Sequence, residues 1–200
     1  MKTIYLLLIV LLATACDSDD APSQESLLPP ITMTGENTFG CLIDGKFFRP
    51  RDGNGNFTST NRGMRVRQTE NVNIELDARD FKSDRTSNIL IHLENLNLNG
   101  VGVYTLGESN GLTGIDGNDN NYIHCRIWND ETNSYEGYVS YTNSGSVEIS
   151  YINFIQDEEN IRSGTFETRL VNIINPLDTI KVELGRFDLE SYSLRNTTFN

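Results

Sequence analysis

The sequence is poor in the residues from which metal and nucleic-acid sites are built. It has only 2 histidines and 3 cysteines in 200 residues, too few for the Cys/His clusters that hold structural zinc. Basic residues are also scarce, because 16 lysines and arginines stand against 28 aspartates and glutamates, with a net charge of −12. Nucleic-acid binding depends on a basic surface, so nucleic acid is excluded as a partner. We predict neither a metal site nor a cofactor.

No apolar run is long enough to span a membrane. The longest covers residues 4–13, about half of the ~20 residues that a spanning helix needs. Behind Lys2, it is typical of the hydrophobic region of a secretory signal. The following Leu12-Ala13-Thr14-Ala15-Cys16 resembles the lipobox of bacterial lipoproteins, although Ala13 stands where Leu, Val or Ile is usual. The resemblance implies a signal peptide over residues 1–15 and acylation of Cys16; an ordinary secretory signal cleaved nearby is the alternative.

An acidic and polar segment follows the cysteine. Asp17-Ser18-Asp19-Asp20 resembles the export signal of surface lipoproteins of the Bacteroidota. It implies an outer-membrane lipoprotein that is exposed at the cell surface, with a periplasm-facing lipoprotein as the alternative. Residues 17–37 contain proline and show no periodicity, so residues 16–37 are expected to form the lipidated cysteine and a flexible tether. Residues 38–200 then form one domain.

Helical periodicity is absent from this domain, and apolar residues alternate with polar ones instead. Val72, Ile74, Leu76 and Ala78 alternate with polar residues, as in a half-buried strand. The same period recurs at residues 64–67, 89–94, 147–151 and 180–184, with Asn- and Gly-rich turns between the segments. This pattern predicts an all-β fold: an antiparallel β-sandwich of about 8–10 strands, or a closed antiparallel barrel built from the same strands.

Two cysteines lie within the domain. Outside the cytoplasm, Cys41 and Cys125 are candidates for a disulfide. Two free thiols buried in the core are the alternative.

Residues 122–151 hold the only tryptophan and five of the eight tyrosines. If residues 129–134 form a hairpin loop and residues 143–144 the turn of the next hairpin, side chains sort onto two faces. One face is apolar and is predicted to be core: Ile123, Cys125, Ile127, Tyr138, Val147, Ile149 and Tyr151. The other face is the predicted ligand-binding face: Tyr122, His124, Arg126, Trp128, Tyr135 and Tyr141, with Ser146, Glu148 and Ser150 beside them. Aromatic rings beside polar groups suit sugar stacking or a protein contact; a second packed layer is the alternative.

One motif of the sequence matches a catalytic pattern. Gly107-Glu108-Ser109-Asn110-Gly111 fits the G-x-S-x-G pattern of serine hydrolases, which requires a sharp strand-to-helix turn. The residues that follow, LTGIDGNDNN, cannot begin a helix. We therefore predict a glycine-rich loop and no catalytic residue.

Three further motifs carry a family resemblance. Leu28-Pro29-Pro30 followed by residues 34–41 (TGENTFGC) resembles the opening of a family of small Bacteroidota lipoproteins of unknown function, and residues 163–166 (SGTF) and 185–188 (GRFD) resemble its closing strands. The resemblance implies a β-rich domain on a lipid tether and brings no catalytic residues. The sequence thus predicts a non-enzymatic binding module for a glycan or a protein partner at the cell envelope. A carbohydrate- or cell-wall-active hydrolase and a structural accessory subunit of an envelope complex are the alternatives.

Overall fold

An antiparallel sheet of eleven strands, curled into a half-barrel, forms the body of the protein. The computed structural model describes residues 22–55, 60–69, 72–155 and 158–200. The predicted signal peptide and Cys16 lie outside these residues. Within them, no helix combines the length and the apolar character needed to cross a bilayer. The prediction of an all-β antiparallel fold is confirmed, and the sheet has eleven strands where about eight to ten were expected.

Each alternating segment of the sequence lies in one of the strands. The strands are β1 (Thr38–Ile43), β2 (Lys46–Phe48), β3 (Met64–Thr69), β4 (Asn73–Asp80), β5 (Ser87–Leu93), β6 (Gly102–Thr105), β7 (Tyr122–Asn129), β8 (Ser134–Val139), β9 (Gly145–Ile155), β10 (Glu159–Asn172) and β11 (Thr179–Glu190). Neighbours follow the order β2-β1-β11-β10-β8-β7-β5-β4-β3, and β9 pairs with β10 and β6 beside this path. Helical turns are short: α1 (Leu96–Asn99) and the 3-10 turns Gln24–Leu27, Gly114–Asp116 and Ser193–Asn196.

The inner face of the curled sheet holds a continuous apolar core. In β4, Ile74, Leu76 and Ala78 point into this core and are at most 1% exposed. Glu75 and Asp77, which alternate with them, point to the outer face and are nevertheless 1% and 0% exposed. The outer face of β4 is therefore covered as well, which the alternating pattern alone did not predict.

The predicted β8–β9 hairpin is wrong, although its turn exists. Residues 141–144 form a turn in which Ser144 N donates to Tyr141 O. The strands on either side do not pair with each other: β8 pairs with β7 and with the end of β10, and β9 pairs with β10 and β6. At 14 residues, β10 is long enough to pair with both. Most of the predicted core face survives this change because strand alternation fixes the two faces locally, and Val147 and Ile149 are buried. Tyr151 is the exception: a bulge at Ser150 reverses the alternation, so that Ile152 packs against the core in place of Tyr151.

Cys41 and Cys125 are free, buried thiols, which corrects the predicted disulfide in favour of its alternative. In the sheet, β1 and β7 are separated by three strands, so the two cysteines meet the core from different sides without bonding. Burial is the main cause that raises the pKa of both thiols. A raised thiol pKa lowers the thiolate fraction, and the thiolate is the reactive form.

We expect neither thiol to react with a soluble thiol reagent at pH 8 in the native protein. A Cys16→Ser variant leaves Cys41 and Cys125 as the only cysteines. Mass spectrometry should find no label on the folded variant and a label on both cysteines once denaturant is added. Unlabelled cysteines in denaturant that become reactive only after reduction would instead show a disulfide.

One end of the half-barrel is open, and we call it the mouth. There β1, β4, β7 and β10 end and β2, β5, β8 and β11 begin, so the mouth comprises residues 43–46, 80–87, 129–134 and 172–179. The chain after β2 crosses to β4: Arg51 N donates to Arg79 O, and Phe81 N donates to Arg51 O. Arg51 also makes two hydrogen bonds of 2.6 and 2.7 Å with the carboxylate of Asp80. These contacts link the two edges of the sheet beside the mouth.

The segment before β1 lies against the sheet. Gln24 Oε1 accepts a hydrogen bond from Phe47 N in β2. Further along, Thr32, Thr34, Gly35 and Glu36 all donate hydrogen bonds to the carboxylate of one buried residue, Asp188 in β11. The predicted flexible tether is therefore shorter than expected, because residues 24–37 belong to the folded domain.

Candidate functional site

The structure divides the predicted ligand-binding face into three parts. Tyr122 and His124 are buried under the loop of residues 107–121, with 0% and 8% exposure. Tyr141 is exposed but follows β8, in the turn away from the mouth. Arg126, Trp128 and Tyr135 stay together near the mouth. The polar residues Ser146, Glu148 and Ser150, predicted beside the face, lie apart in β9, which does not pair with β8. Of the group near the mouth, Trp128 alone lines the cleft that opens there, and Arg126 and Tyr135 lie beside it.

Trp128 and Tyr135 form an aromatic pair on the β7–β8 hairpin. They are directly opposite each other in the register, and their rings meet edge to face with centroids 5.0 Å apart. The Arg85 guanidinium lies 4.3 Å from the centre of the Trp128 ring, and that of Arg126 lies 4.2 Å from the centre of the Tyr135 ring. Cation–π contacts of this kind hold the rings in place. Arg85 is also paired with Asp130 across the mouth.

A cleft of about 600 Å³ opens at the mouth, beside Trp128. This volume lies within the range of sites for small ligands. Inner-face side chains line it from inside: Ile43, Phe48, Ile127, Tyr138 and Ile180. Charged side chains line it from outside: Asp44, Lys46, Asp80, Arg85, Asp130, Glu131 and Asp178. The cleft therefore offers apolar surface surrounded by groups that hydrogen-bond.

Tyr138 and Asp178 join the cleft to a wider hydrogen-bond network. Tyr138 Oη donates to Asp178 Oδ2 at 2.7 Å, and Asn172 Nδ2 donates to the same oxygen at 3.0 Å. Glu136 accepts from Asn172 as well, at 2.5 Å. Burial and the bond to Asp178 raise the pKa of Tyr138, so its hydroxyl stays protonated and remains a donor. The hydrogen bond from Thr132, aided by Asn129, lowers the pKa of Glu136, which stays an ionised acceptor.

One polar atom beside the cleft lacks a partner. The Trp128 Nε1–H is buried and has no hydrogen-bond acceptor among the described residues. Buried donors nearly always have a partner, and exceptions are enriched at functional sites. The unpaired donor therefore belongs to a residue that lines the cleft.

A second polar cluster, which the sequence did not predict, lies on the outer face of β4, β5 and β7. Its centre is Tyr122, whose ring stacks between two imidazoles, with centroids 4.5 Å from that of His92 and 5.8 Å from that of His124. Glu75 Oε1 lies 3.4 Å from His92 Nδ1 and accepts from Gly114 N at 2.6 Å. The register places Glu75, His92 and Tyr122 side by side on three strands. Only the pairing of these three strands could have revealed the cluster, because its residues are far apart in sequence.

Ser109, the serine of the G-x-S-x-G pattern, contacts this cluster. Its Oγ lies 3.1 Å from His124 Nδ1 and accepts a hydrogen bond from Gly111 N. Burial lowers the pKa of His124 to about 4, so at neutral pH the imidazole is uncharged and its Nδ1 can accept a hydrogen bond from the serine hydroxyl. The predicted loop is confirmed: in the described part of the chain, Ser109 is followed by the short 3-10 turn Gly114–Asp116 and by no α-helix, and Ser109 is only 8% exposed. Ser109 thus attaches the loop to the sheet. The nearby backbone N–H of Gly111 already donates to Ser109 Oγ.

No family model, curated protein or solved structure matches this chain. The lipoprotein resemblance therefore stays a prediction from the sequence, and the function must be argued from the site.

Proposed function

We propose that this chain is a lipid-anchored, non-enzymatic binding module that holds a glycan at the cell envelope. The carrying observation is the cleft of about 600 Å³ at the mouth, which joins apolar surface to ionised and neutral hydrogen-bonding groups. Sugars present both kinds of surface, because their C–H faces are apolar and their rims carry hydroxyls. Trp128 and Tyr138 supply the aromatic side of such a site.

The charges of the cleft favour a neutral sugar. Its lining holds five carboxylates but only Lys46 and Arg85 as cations, and Arg85 is already paired with Asp130. An anionic ligand would be repelled by this excess of negative charge. Hydroxyl groups, in contrast, donate well to ionised carboxylates such as Asp178. We therefore propose a neutral oligosaccharide as the ligand class.

The carboxylates are better suited to binding a sugar than to hydrolysing it. A glycosidase needs one carboxylic acid whose pKa is raised, so that it can protonate the leaving group. In the cleft, the pKa of Asp80 is lowered: burial would raise it, but the bonds from Arg51 and from backbone N–H groups prevail. Outside the cleft, the pKa of Glu136, which shares Asn172 with Asp178, is lowered chiefly by the bond from Thr132. Carboxylates of this kind serve as acceptors at neutral pH.

The location follows from the sequence of the N-terminus. The lipobox-like residues before Cys16 and the acidic residues after it support anchoring in the outer membrane, with the domain facing the cell surface. Acylation with two or three chains would hold the protein on its membrane essentially permanently.

We expect replacement of Trp128 by alanine to weaken glycan binding at least tenfold, about 1.4 kcal/mol. The lipidated full-length protein in detergent is probed on an array of neutral and acidic glycans, and each hit is titrated with the variant. The matched control is Tyr141→Ala, because Tyr141 belongs to the predicted face but lies outside the cleft. Asp178→Asn, which keeps the shape of the cleft and removes one charge, should also weaken binding.

Three results would count against this site. Equal losses of glycan affinity in Tyr141→Ala and Trp128→Ala would show that binding does not depend on the cleft. Unchanged affinity in Trp128→Ala and Asp178→Asn together would do the same. Binding confined to acidic glycans would contradict the proposed ligand class.

A further inference from the structure

We infer that the tip between β10 and β11, residues 173–177, docks on the same bilayer that holds the acylated Cys16. The cleft at the mouth then faces sugars that are carried by that bilayer, so its ligand is the sugar part of a glycolipid. This inference deepens the proposed function and rests on its lipid anchor.

The tip exposes apolar side chains to an unusual degree. Ile174 and Leu177 are 91% and 93% exposed, the highest values among the large hydrophobic side chains of the described residues, and Ile173 is 55% exposed. Scattered exposed apolar residues are ordinary, but a contiguous group of them marks an interaction surface. Pro176 adds a further apolar ring to the same tip.

The tip is held in shape by its own hydrogen bonds. Asn172 Oδ1 accepts from the backbone N–H groups of Ile174 and Asn175. Asn175 Oδ1 accepts from Leu177 N, and Asn175 O accepts from Asp178 N. The two exposed side chains are thus presented by a fixed backbone, which reduces the entropy lost when the tip is buried against a partner.

The N-terminal segment leaves the domain at the same end as the tip. Gln24 contacts Phe47 in β2, and β2 begins at the mouth. The start of β11 is bonded to the same end, because Lys181 N donates to Asp44 Oδ1. Cys16 precedes Gln24 by eight residues, which span at most about 29 Å when fully extended. Acyl chains on Cys16 therefore hold the mouth and its tip close to the bilayer.

The short connection between Cys16 and Gln24 is the reason why we propose lipid, and not a protein, as the partner of the tip. A surface tethered within a few nanometres meets the tip at a high effective concentration, and burying an isoleucine and a leucine in the interface is favourable. The neighbouring carboxylates of Asp44 and Asp178 add negative charge beside the tip. Docking should therefore be stronger on zwitterionic than on anionic lipid.

The experiment compares two exposed leucines at opposite ends of the domain. Leu177 lies in the tip, and Leu98 lies in α1, which follows β5 at the end away from the mouth and is 72% exposed. Leu177→Cys and Leu98→Cys are made separately in the lipidated full-length protein and labelled with a polarity-sensitive fluorophore. Cys41 and Cys125 are buried and stay unlabelled. Each labelled protein is reconstituted into zwitterionic vesicles, with and without quenchers attached to the lipid chains.

We expect a blue shift and lipid-dependent quenching for Leu177→Cys and neither effect for Leu98→Cys. Both effects should diminish when anionic lipid is added, and an Ile174→Asp change in the Leu177→Cys background should abolish them. A water-exposed label at residue 177 on vesicles that carry the protein overturns the inference and leaves the glycan site intact. Signals at both positions, or a signal at 177 that requires an envelope protein extract, also overturn it. Failure of the protein to float with the vesicles overturns the anchor itself, and with it the inference.

Discussion

Replacing Asp188 by alanine is expected to cost the protein roughly 3–5 kcal/mol of unfolding free energy. Asp188 is 1% exposed and is the acceptor for five donor groups. These are Thr32 Oγ1 at 2.6 Å, Thr34 N at 3.1 Å, Gly35 N at 2.9 Å, Glu36 N at 3.1 Å and Ser163 Oγ at 2.6 Å. Alanine would remove all five hydrogen bonds, and a hydrogen bond to a charged group contributes about 1.5–3 kcal/mol. It would also leave the buried Ser163 hydroxyl without its acceptor. Urea unfolding of the purified protein measures the loss.

A matched control and a second readout make this expectation specific. Asp130→Ala removes an aspartate whose side chain is 75% exposed, so its effect should stay within about 0.5 kcal/mol. Without Asp188, the segment before β1 should detach, and a glutamate-specific protease should then cleave after Glu36. An Asp188→Ala variant as stable and as resistant as the unchanged protein would show that the segment is held by other contacts.

The contribution of Asp188 should also depend on pH. Burial alone would raise the pKa of this carboxyl, but the hydrogen bonds from Ser163, Thr32 and the backbone of residues 35–36 outweigh burial and lower it. A lowered pKa means that the stabilisation is complete above the pKa of the unfolded chain, about 3.9. It is lost as the pH falls through the pKa of the folded state. The stability difference between the protein and Asp188→Asn should therefore shrink below about pH 4.

Asp188 also shows what the sequence motifs predicted and what they did not. Residues 34–41, 163–166 and 185–188 carry the family resemblance, and the contacts of Asp188 bring all three together. Nothing in their spacing shows this meeting, because residues 34 and 188 approach only when β1 pairs with β11. Strand alternation was readable because it is local; the strand order was not, because it depends on contacts distant in sequence.

The candidate site follows the same division. Trp128 and Tyr135 were correctly placed together because a short hairpin loop sets their register. Tyr122 and His124 lie on the same face but are buried, because residues 107–121 cross over them. That loop has no periodicity, so its course could not be predicted. The cleft could not be predicted either, since Phe48 in β2 and Asp178 just before β11 are far from Trp128 in sequence.

Removing the carboxylate of Glu75 is the second change with a large expected effect, a loss of about 2–4 kcal/mol of unfolding free energy. Glu75 is 1% exposed, accepts from Gly114 N at 2.6 Å and lies 3.4 Å from both His92 Nδ1 and Arg67 Nη2. Glu75→Ala would leave Gly114 N and His92 Nδ1 without this acceptor beneath the loop, whereas Arg67 would keep its contact with Asp77. Glu148→Ala is the matched control, since Glu148 is an exposed strand residue and its loss should cost less than about 0.5 kcal/mol.

The pH dependence of this contribution has the same sign as that of Asp188. Burial alone would raise the pKa of Glu75, but its bonds to His92 and Gly114 N and the charge of Arg67 lower it. Its stabilisation should therefore be complete above about pH 4.3 and decline as the pH falls through the lower pKa of the folded state. Unfolding curves of Glu75→Gln and of the unchanged protein should converge in that acidic range.

Two of the points that attach the loop of residues 107–121 to the sheet involve buried side chains of the polar cluster: Ser109 on His124 and Gly114 on Glu75. Leu112 O also accepts from Tyr122 Oη between them. If the loop behaves as one rigid cover, losing either point should loosen both. Hydrogen exchange should then accelerate at the amides of both Gly111 and Gly114 in Ser109→Ala as well as in Glu75→Gln. A double-mutant cycle should show a coupling of at least about 0.5 kcal/mol between the two changes. Additive effects, with faster exchange only beside each substitution, would show instead two independent attachments and a cover that opens piecewise over Tyr122.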